Sequence, residues 1–175
     1  MAFLDETGFR LQPVRRRTWA LRGQTPVQRA WDRYDRLSVL GAITLSPARQ
    51  RLDVRFSVWH ENICTRHIVQ FIKQLRQELR RPLVIVLDHL AAHRSAAKQL
   101  QREGYSDIKF EWLPAYAPDL NPVEPLWSHT KYSDLANFLS IDQHDLRRGV
   151  CRSIENKRGR KHLLRSFFHA ARLKL

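Results

Sequence analysis

Three acids stand where chemistry is easiest to place. Asp5 lies in an apolar stretch, Asp88 directly follows Leu83-Val84-Ile85-Val86-Leu87, and Glu124 directly follows Asn121-Pro122-Val123. Carboxylates brought close together repel one another unless a cation lies between them. Their hard oxygens suit magnesium or manganese rather than zinc. A pair of such ions can activate an attacking oxygen and stabilise a leaving oxygen in phosphoryl displacement. Each acid taken alone also has a plainer reading: Asp88 as a turn or capping residue, Glu124 as a first-turn Glu favoured by the helix dipole. Spacing by itself does not bring the three together. Glu6 neighbours Asp5, but strand alternation points it to the opposite face, and Asp119 is the nearest competitor of Glu124. His89 and His93 have the four-residue spacing of a helical zinc pair. No Cys or His cluster completes such a site, and no CxxC pair occurs.

The elements that must position these acids follow from hydrophobic periodicity. Ala2 to Phe9 reads as a strand beginning almost at the first residue. Val14 to Arg22 is read as a basic second strand, closed by a turn at Gly23-Gln24-Thr25-Pro26. Leu37 to Leu45 is a strong strand pattern ended by Ser46-Pro47, and Leu52, Val54, Phe56 and Val58 alternate with polar residues as in a half-buried strand. The first third therefore reads as an antiparallel meander. Between Asn62 and Pro82 the period changes to that of a helix, with Ile63, His67, Ile68, Phe71, Ile72, Leu75 and Leu79 on one face. Leu83 to Leu87 is a strand buried on both sides, so Asp88 ends at the carboxyl edge of a central strand, where open α/β sheets place their sites. Ser95 to Glu103 reads as a short helix closed by Gly104, and Ile108 to Leu113 as a further strand. Asn121 caps a helix with Pro122 in its first turn, and Ile141 to Ile154 and Lys161 to Leu173 read as two more helices. Antiparallel strands beside parallel strands joined by helical crossovers make an α/β mixed sheet flanked by helices. Residues 1–140 are read as its core and residues 141–175 as a basic helical extension of the same domain. Tyr116 and Trp127 are read first as packing aromatics, with stacking on nucleic-acid bases as the alternative.

Charge narrows the partner. Lys and Arg number 31 against 17 Asp and Glu, a net charge of +14 with a pI near 10.8. Such a balance suits a polyanion, since each phosphate neutralised releases a condensed counterion, and the excess of Arg over Lys suits bidentate phosphate contact. Arg15-Arg16-Arg17 forms one basic run. Arg147, Arg148, Arg152, Lys157, Arg158, Arg160, Lys161 and Arg165 fill the C-terminal region. Both are candidate phosphate-binding surfaces, with His93 and Arg94 added beside Asp88. The two cysteines, Cys64 and Cys151, do not make a disulfide framework. The N-terminus lacks the apolar run of a signal peptide, and no stretch reaches membrane-spanning length. A cytoplasmic protein with no membrane partner is expected.

Longer stretches carry a family resemblance. Asp5-Glu6-Thr7-Gly8-Phe9, Arg17-Thr18-Trp19-Ala20 and Arg22-Gly23-Gln24-Thr25-Pro26 resemble the start of the catalytic domain of DDE transposases of the mariner superfamily, the bacterial insertion-sequence branch above all. Leu87-Asp88 with His93-Arg94-Ser95 resembles that family's second acidic motif. The run from Leu113-Pro114-Ala115-Tyr116 through Asn121-Pro122-Val123-Glu124-Pro125-Leu126-Trp127 resembles its third. The tail is similar too, through Asp134-Leu135-Ala136-Asn137 and Leu164-Arg165-Ser166-Phe167-Phe168-His169. His89 departs from the residue usual after the second acid, and the gap from 89 to 123 is one residue longer than the family's common pattern, a difference a loop can absorb.

The resemblance implies a ribonuclease H-like fold, with Asp5, Asp88 and Glu124 as catalytic residues and metal ligands for two magnesium ions, manganese substituting. It implies DNA strand cleavage at transposon ends followed by attack of the freed 3′-hydroxyl on target DNA, in a bacterial cytoplasm and in association with the nucleoid. Nothing in the chain reads as a helix-turn-helix module, so an upstream helix-turn-helix polypeptide or domain is an expected partner, with a homodimer also open. Two alternatives stand beside this reading: an inactive remnant that only binds DNA, and another ribonuclease H-like nuclease.

Overall fold

The central strand is the one that begins at the second residue. In a computed structural model, which describes residues 1–29 and 35–175, β1 (Ala2–Arg10) pairs on one side with β2 (Arg36–Leu45) and on the other with β4 (Leu83–Leu87). β3 (Leu52–Trp59) and β5 (Ile108–Trp112) complete a five-stranded sheet of order β3-β2-β1-β4-β5. β1, β2 and β3 run antiparallel, as the meander reading expects, whereas β4 is parallel to β1 and β5 to β4.

Alternation along β1 sends its side chains into two separate cores. Phe3 and Phe9 face the layer built by α3 (Val123–His129), α4 (Gln143–Glu155) and α5 (Lys161–Ala170). Ala2 and Leu4 face α1 (Thr65–Leu79) and α2 (Ala91–Arg102). Phe3 meets Phe168 of α5 edge-on at 5.4 Å, an arrangement aromatic pairs favour. Leu146, Val150, Ile154, Leu164 and Phe167 are buried in the same cluster as Phe3, so the two C-terminal helices close one face of the sheet. On the other face α1 buries His67, Ile68, Phe71, Ile72 and Leu75, most of the stripe its periodicity marks.

Several boundaries differ from the sequence pattern, each for a local reason. Residues 14–22 form no strand beyond a single bridge between Val14 and Ala136. Residues 15–22 are exposed and lack a buried alternation. They are held instead by Asn137, whose side chain accepts from the Arg16 amide at 2.9 Å and donates to the Arg16 carbonyl at 3.0 Å. Helix α2 starts at Ala91, four residues before Ser95, because the Leu90 amide donates to Asp88 Oδ1 and so defines an earlier turn. Helix α5 stops at Ala170 rather than Leu173, where Arg172 takes a left-handed conformation (φ 58°) and the Leu173 amide returns to the Phe168 carbonyl at 2.8 Å. Helix α3 is short and runs on into a π-helical turn, Thr130–Asp134.

That turn is fastened to α4 by Lys157, which the basic-run reading groups with phosphate-contacting residues. Lys157 is instead buried, 1% exposed. Its ammonium donates to the Asp134 carboxylate, to Ser153 Oγ at 2.9 Å and to the Ser153 carbonyl at 3.0 Å. Burial pulls the Lys157 pKa down. Burial pushes Asp134 up, but bonds from Lys157 and Ser153 outweigh it and leave the carboxyl below its ordinary value. The pair is thus structural, and removing one partner strands the other. Lys157→Ala is expected to cost roughly 1–3 kcal/mol of stability, read as a lower midpoint in thermal or urea unfolding; an unchanged midpoint would mean the pair holds nothing.

Candidate active site

Asp5 and Asp88 become neighbours through strand register. Phe3 pairs with Val86 in the parallel β1–β4 ladder, so two residues further on each strand places Asp5 beside Asp88 at the sheet's carboxyl edge. Glu124 arrives from the other direction, in the first turn of α3. Asn121 makes that arrival possible. Its Oδ1 accepts from the Val123 amide at 3.1 Å and its Nδ2 donates to the Leu4 carbonyl at 3.4 Å, so one side chain both opens the helix and moors it to β1. Asp5, Asp88 and Glu124 line a single cavity of about 410 Å³, walled by Pro114, Tyr116, Pro118 and Asn121.

The carboxylates are held there at an electrostatic cost. Asp5 is buried, and its pKa is pushed up to about 8, first by desolvation, then by Glu124, Glu6 and Asp88, against the stabilising Trp127 indole. The Trp127 Nε1–H donates to Asp5 Oδ2 at 3.0 Å. Burial likewise raises Glu124; Lys131 opposes it, while Asp88, Asp119 and Glu6 add to it. Lys131 sits in the π turn seven residues after Glu124, with Nζ 2.6 Å from Thr7 Oγ1 and 5.4 Å from the Phe9 ring centre. Its own pKa falls through burial, opposed by Glu124 and Asp5. One half-buried ammonium leaves the acidic group under-neutralised.

The carboxyls are thus costly to ionise together, and it is this cost that a divalent cation would have to relieve. The donors are carboxylate oxygens of the hard type that magnesium and manganese take, and a bound cation would relieve the repulsion that raises Asp5. As the side chains stand, no cluster of three His, Cys, Asp or Glu among the described residues is drawn together tightly enough to enclose an ion. The donor set therefore fits in kind, and ligation would require the carboxylates to close on the ion.

Around this centre the other candidate residues separate by exposure. His93 is wholly buried, so it offers nothing to a phosphate at the surface. Its Nδ1 lies 2.5 Å from Asp88 Oδ1 and its Nε2 lies 2.9 Å from Glu6 Oε2, the latter close in distance but outside hydrogen-bond alignment. Burial lowers the His93 pKa, but Glu6 and Asp88 outweigh it and the net shift is upward. Glu6 does point to the face opposite Asp5, as alternation requires, and it has a partner there. His89 stacks on Trp112 at 5.4 Å. Trp127 packs as expected, 2% exposed. Tyr116 does not pack: it is fully exposed, in a left-handed conformation (φ 57°) on the cavity wall.

Arg15, Arg16 and Arg17 are exposed and line a shallow cavity of about 460 Å³ with Thr18, Gln28 and Asn137. Arg94, Arg160 and Lys161 are exposed too. Arg147 is half-buried and donates to the Val58 carbonyl at 3.2 Å, while Arg148 pairs with Asp145 and Arg158 with Asp53. Periodicity also passes over Gly41. It pairs with Asp5 across the β1–β2 ladder, and a Cβ there would lie 2.5 Å from Trp127. A glycine inside a strong strand pattern is the usual mark of such a close approach.

A family model described as DDE superfamily endonuclease matches residues 1–147. Among solved structures, a Mos1 transposase paired-end complex with the left transposon end is similar at a TM-score of 0.66 and 15% identity, covering 98% of this chain and 51% of that one. A Mos1 mariner paired-end complex with Mn gives 0.67 and 14%, over 98% and 51%. A simian T-cell lymphotropic virus intasome gives 0.50 and 14%, over 85% and 46%. At these identities the likeness establishes the ribonuclease H-like fold, and the chain spans about half the length of the transposase chains it matches. No curated protein matches the chain in sequence.

The strained Asp5 gives a stability test. Between its ordinary 3.8 and about 8, folded Asp5 keeps a proton that the unfolded chain releases. Its contribution to stability is therefore present below that window and lost as pH rises through it, at about 1.4 kcal/mol per pKa unit. Asp5→Asn, which keeps an acceptor for Trp127, should raise the metal-free melting temperature at pH 8 by on the order of 10 °C, with the gain shrinking toward pH 4. A gain independent of pH would show that Asp5 titrates normally.

Proposed function

The chain belongs to the DDE superfamily of endonucleases, and from that premise we propose that it is the catalytic domain of a transposase, cutting DNA at transposon ends and joining the freed 3′-hydroxyl to target DNA. The observation that carries the reading is that Asp5, Asp88 and Glu124, from three separate elements, line one cavity with too little positive charge. We assign these three as the catalytic ligands of two magnesium ions, for which manganese can substitute. Bound there, such ions supply Lewis-acid stabilisation to the attacking and leaving oxygens of an in-line phosphoryl transfer.

The chain's own residues do the rest. Asn121 and the prolines at 114, 118 and 122 hold the approach to α3 stiff, so that Glu124 projects from a fixed turn. Trp127 keeps Asp5 from swinging away, and Gly41 makes room for that ring. Lys131, seven residues beyond Glu124, is placed to balance charge beside a phosphate or beside Glu124 itself. Tyr116 stands free on the rim with a face available to an unpaired base.

Arg15, Arg16, Arg17, Arg94, Arg160 and Lys161 form the exposed cationic surface for the DNA backbone. Arg147, Arg148 and Arg158 are secondary contacts because each already has a protein partner. Residues 1–140 form the catalytic core and residues 141–175 the basic helical extension. An upstream helix-turn-helix module would supply recognition of the ends, with a second copy of the chain as a further partner. A bacterial cytoplasm, at the nucleoid, is the corresponding location. No helix among the described residues is long and apolar enough to cross a membrane.

Two measurements test this. With magnesium, wild type should nick a plasmid carrying the element's ends, and Asp88→Asn or Glu124→Gln should lower the rate by about a hundredfold or more, as expected when an ion that stabilises charge in the transition state is lost. DNA binding without nicking would make the chain an inactive remnant, and cleavage confined to RNA–DNA hybrid would make it a different nuclease. Separately, duplex binding should weaken by about a thousandfold between 50 and 200 mM salt if some six or more phosphates are contacted. Binding indifferent to salt would remove the cationic surface from the proposal.

A further inference from the structure

His93 and Glu6 belong to no step of the reaction just described, yet they are built into the site. His93 comes from the first turn of α2 and is 0% exposed: Nδ1 is hydrogen-bonded to Asp88 Oδ1 at 2.5 Å, and Nε2 lies 2.9 Å from Glu6 Oε2 as a charge contact without hydrogen-bond alignment. Glu6 lies on β1 beside Asp5 but faces the α2 layer, its side chain 25% exposed. The Leu90 amide adds a second donor to the same Asp88 oxygen at 3.0 Å. Asp88 itself lies just past the end of β4, where the ladder to β1 no longer restrains it. With Oδ1 held by two donors, the carboxylate's rotation is set and Oδ2 is the oxygen left to take a ligand.

We propose that His93 is a positioning residue, anchored by Glu6, that fixes Asp88 in the orientation needed to bind a divalent cation. This rests on the assignment of Asp88 as a metal ligand. The physical reason is that a ligand already locked in its binding rotamer loses less freedom when the ion arrives, and supporting groups of this kind commonly change metal affinity by about 10–100-fold. A histidine buried only to fill the core would carry no such link. Its loss would lower stability without changing how much metal the enzyme needs.

The experiment measures plasmid nicking against manganese concentration, together with manganese binding followed by electron paramagnetic resonance, for wild type, His93→Leu, His93→Asn, Glu6→Ala and Asp88→Asn. For His93→Leu the half-saturating manganese concentration should rise by about 10–100-fold, while the rate at saturating manganese stays within a few-fold of wild type. His93→Asn retains a donor toward Asp88 and should recover most of the affinity. Glu6→Ala, at a partly exposed position, should raise the half-saturating concentration by a smaller factor and provides the test should His93→Leu fail to fold. Half-saturating concentrations equal to wild type in Glu6→Ala and in folded His93→Leu would overturn the proposal, as would rate losses shared equally by His93→Leu and His93→Asn with no change in metal dependence. Wild type binding no manganese at all, like Asp88→Asn, would instead bring down the metal-ligand assignment and this role with it.

Discussion

Repulsion among carboxylates that the fold forces together is the constraint from which most of the local structure follows. Asp5 is buried beside Glu124 and Asp88, and its acidity is displaced far from the ordinary range. A fold seeking stability alone would put an apolar residue there, because burying a charge without a full partner is costly. The neighbours are arranged to tolerate the cost rather than remove it. The Trp127 indole donates one bond to Asp5, Lys131 supplies part of a counter-charge, and Asn121 fixes the turn that carries Glu124. Each of these also ties α3 or the π turn after it to the sheet. The devices that hold the acids in place are therefore the same ones that dock the helix.

The π turn contributes through its geometry. A regular helix continued past His129 would carry the chain onward in register; the π turn at Thr130–Asp134 re-aims it. Lys131 then reaches Thr7 and the Phe9 ring on β1, and Asp134 reaches the buried Lys157 just past the end of α4. One irregular turn thus serves the acidic cavity on one side and the packing of the C-terminal helices on the other. This is why the helices beyond residue 140, which share a core with Phe3 and Phe9, bear on the site without touching it.

How much of this could be read in the sequence depends on the range of the interaction. β4 was legible to the residue, because five consecutive apolar side chains between Pro82 and Asp88 allow little else. For α1 the stripe marks the buried face and the end at Leu79, but the helix starts at Thr65 and leaves Ile63 outside it. Asp5, Asp88 and Glu124 were legible as candidates from their positions at a strand, a strand end and a capped helix. Their convergence was not, since it depends on the register between β1 and β4 and on one asparagine bridging to the Leu4 carbonyl. Residues 14–22 have the basic, partly apolar composition of an edge strand, but Asn137, more than a hundred residues away, decides their path. Charge count places Lys157 at the surface, and only the tertiary position of Asp134 takes it inside. Aromatic residues usually pack, but at Tyr116 a left-handed backbone between prolines turns the ring outward.

The alternation of β1 joins these observations. Phe3, Asp5, Thr7 and Phe9 face the α3 layer, where Trp127 and Lys131 meet them; Ala2, Leu4 and Glu6 face the α2 layer, where His93 meets the last of them. Two adjacent acids on one strand are thereby committed to opposite sides of the sheet, Asp5 to the cavity and Glu6 to the support behind Asp88. A one-residue slip of β1 would exchange them, putting Glu6 against Trp127 and Asp5 against His93. The long antiparallel ladder to β2, paired without a break from Ala2–Thr44 to Arg10–Arg36, is what holds the register. Gly41 sits within that ladder directly across from Asp5, so the register that aligns the acids also aligns the gap that admits Trp127. The precision of the acidic cavity is in this sense a property of the meander, most of whose residues lie outside the cavity.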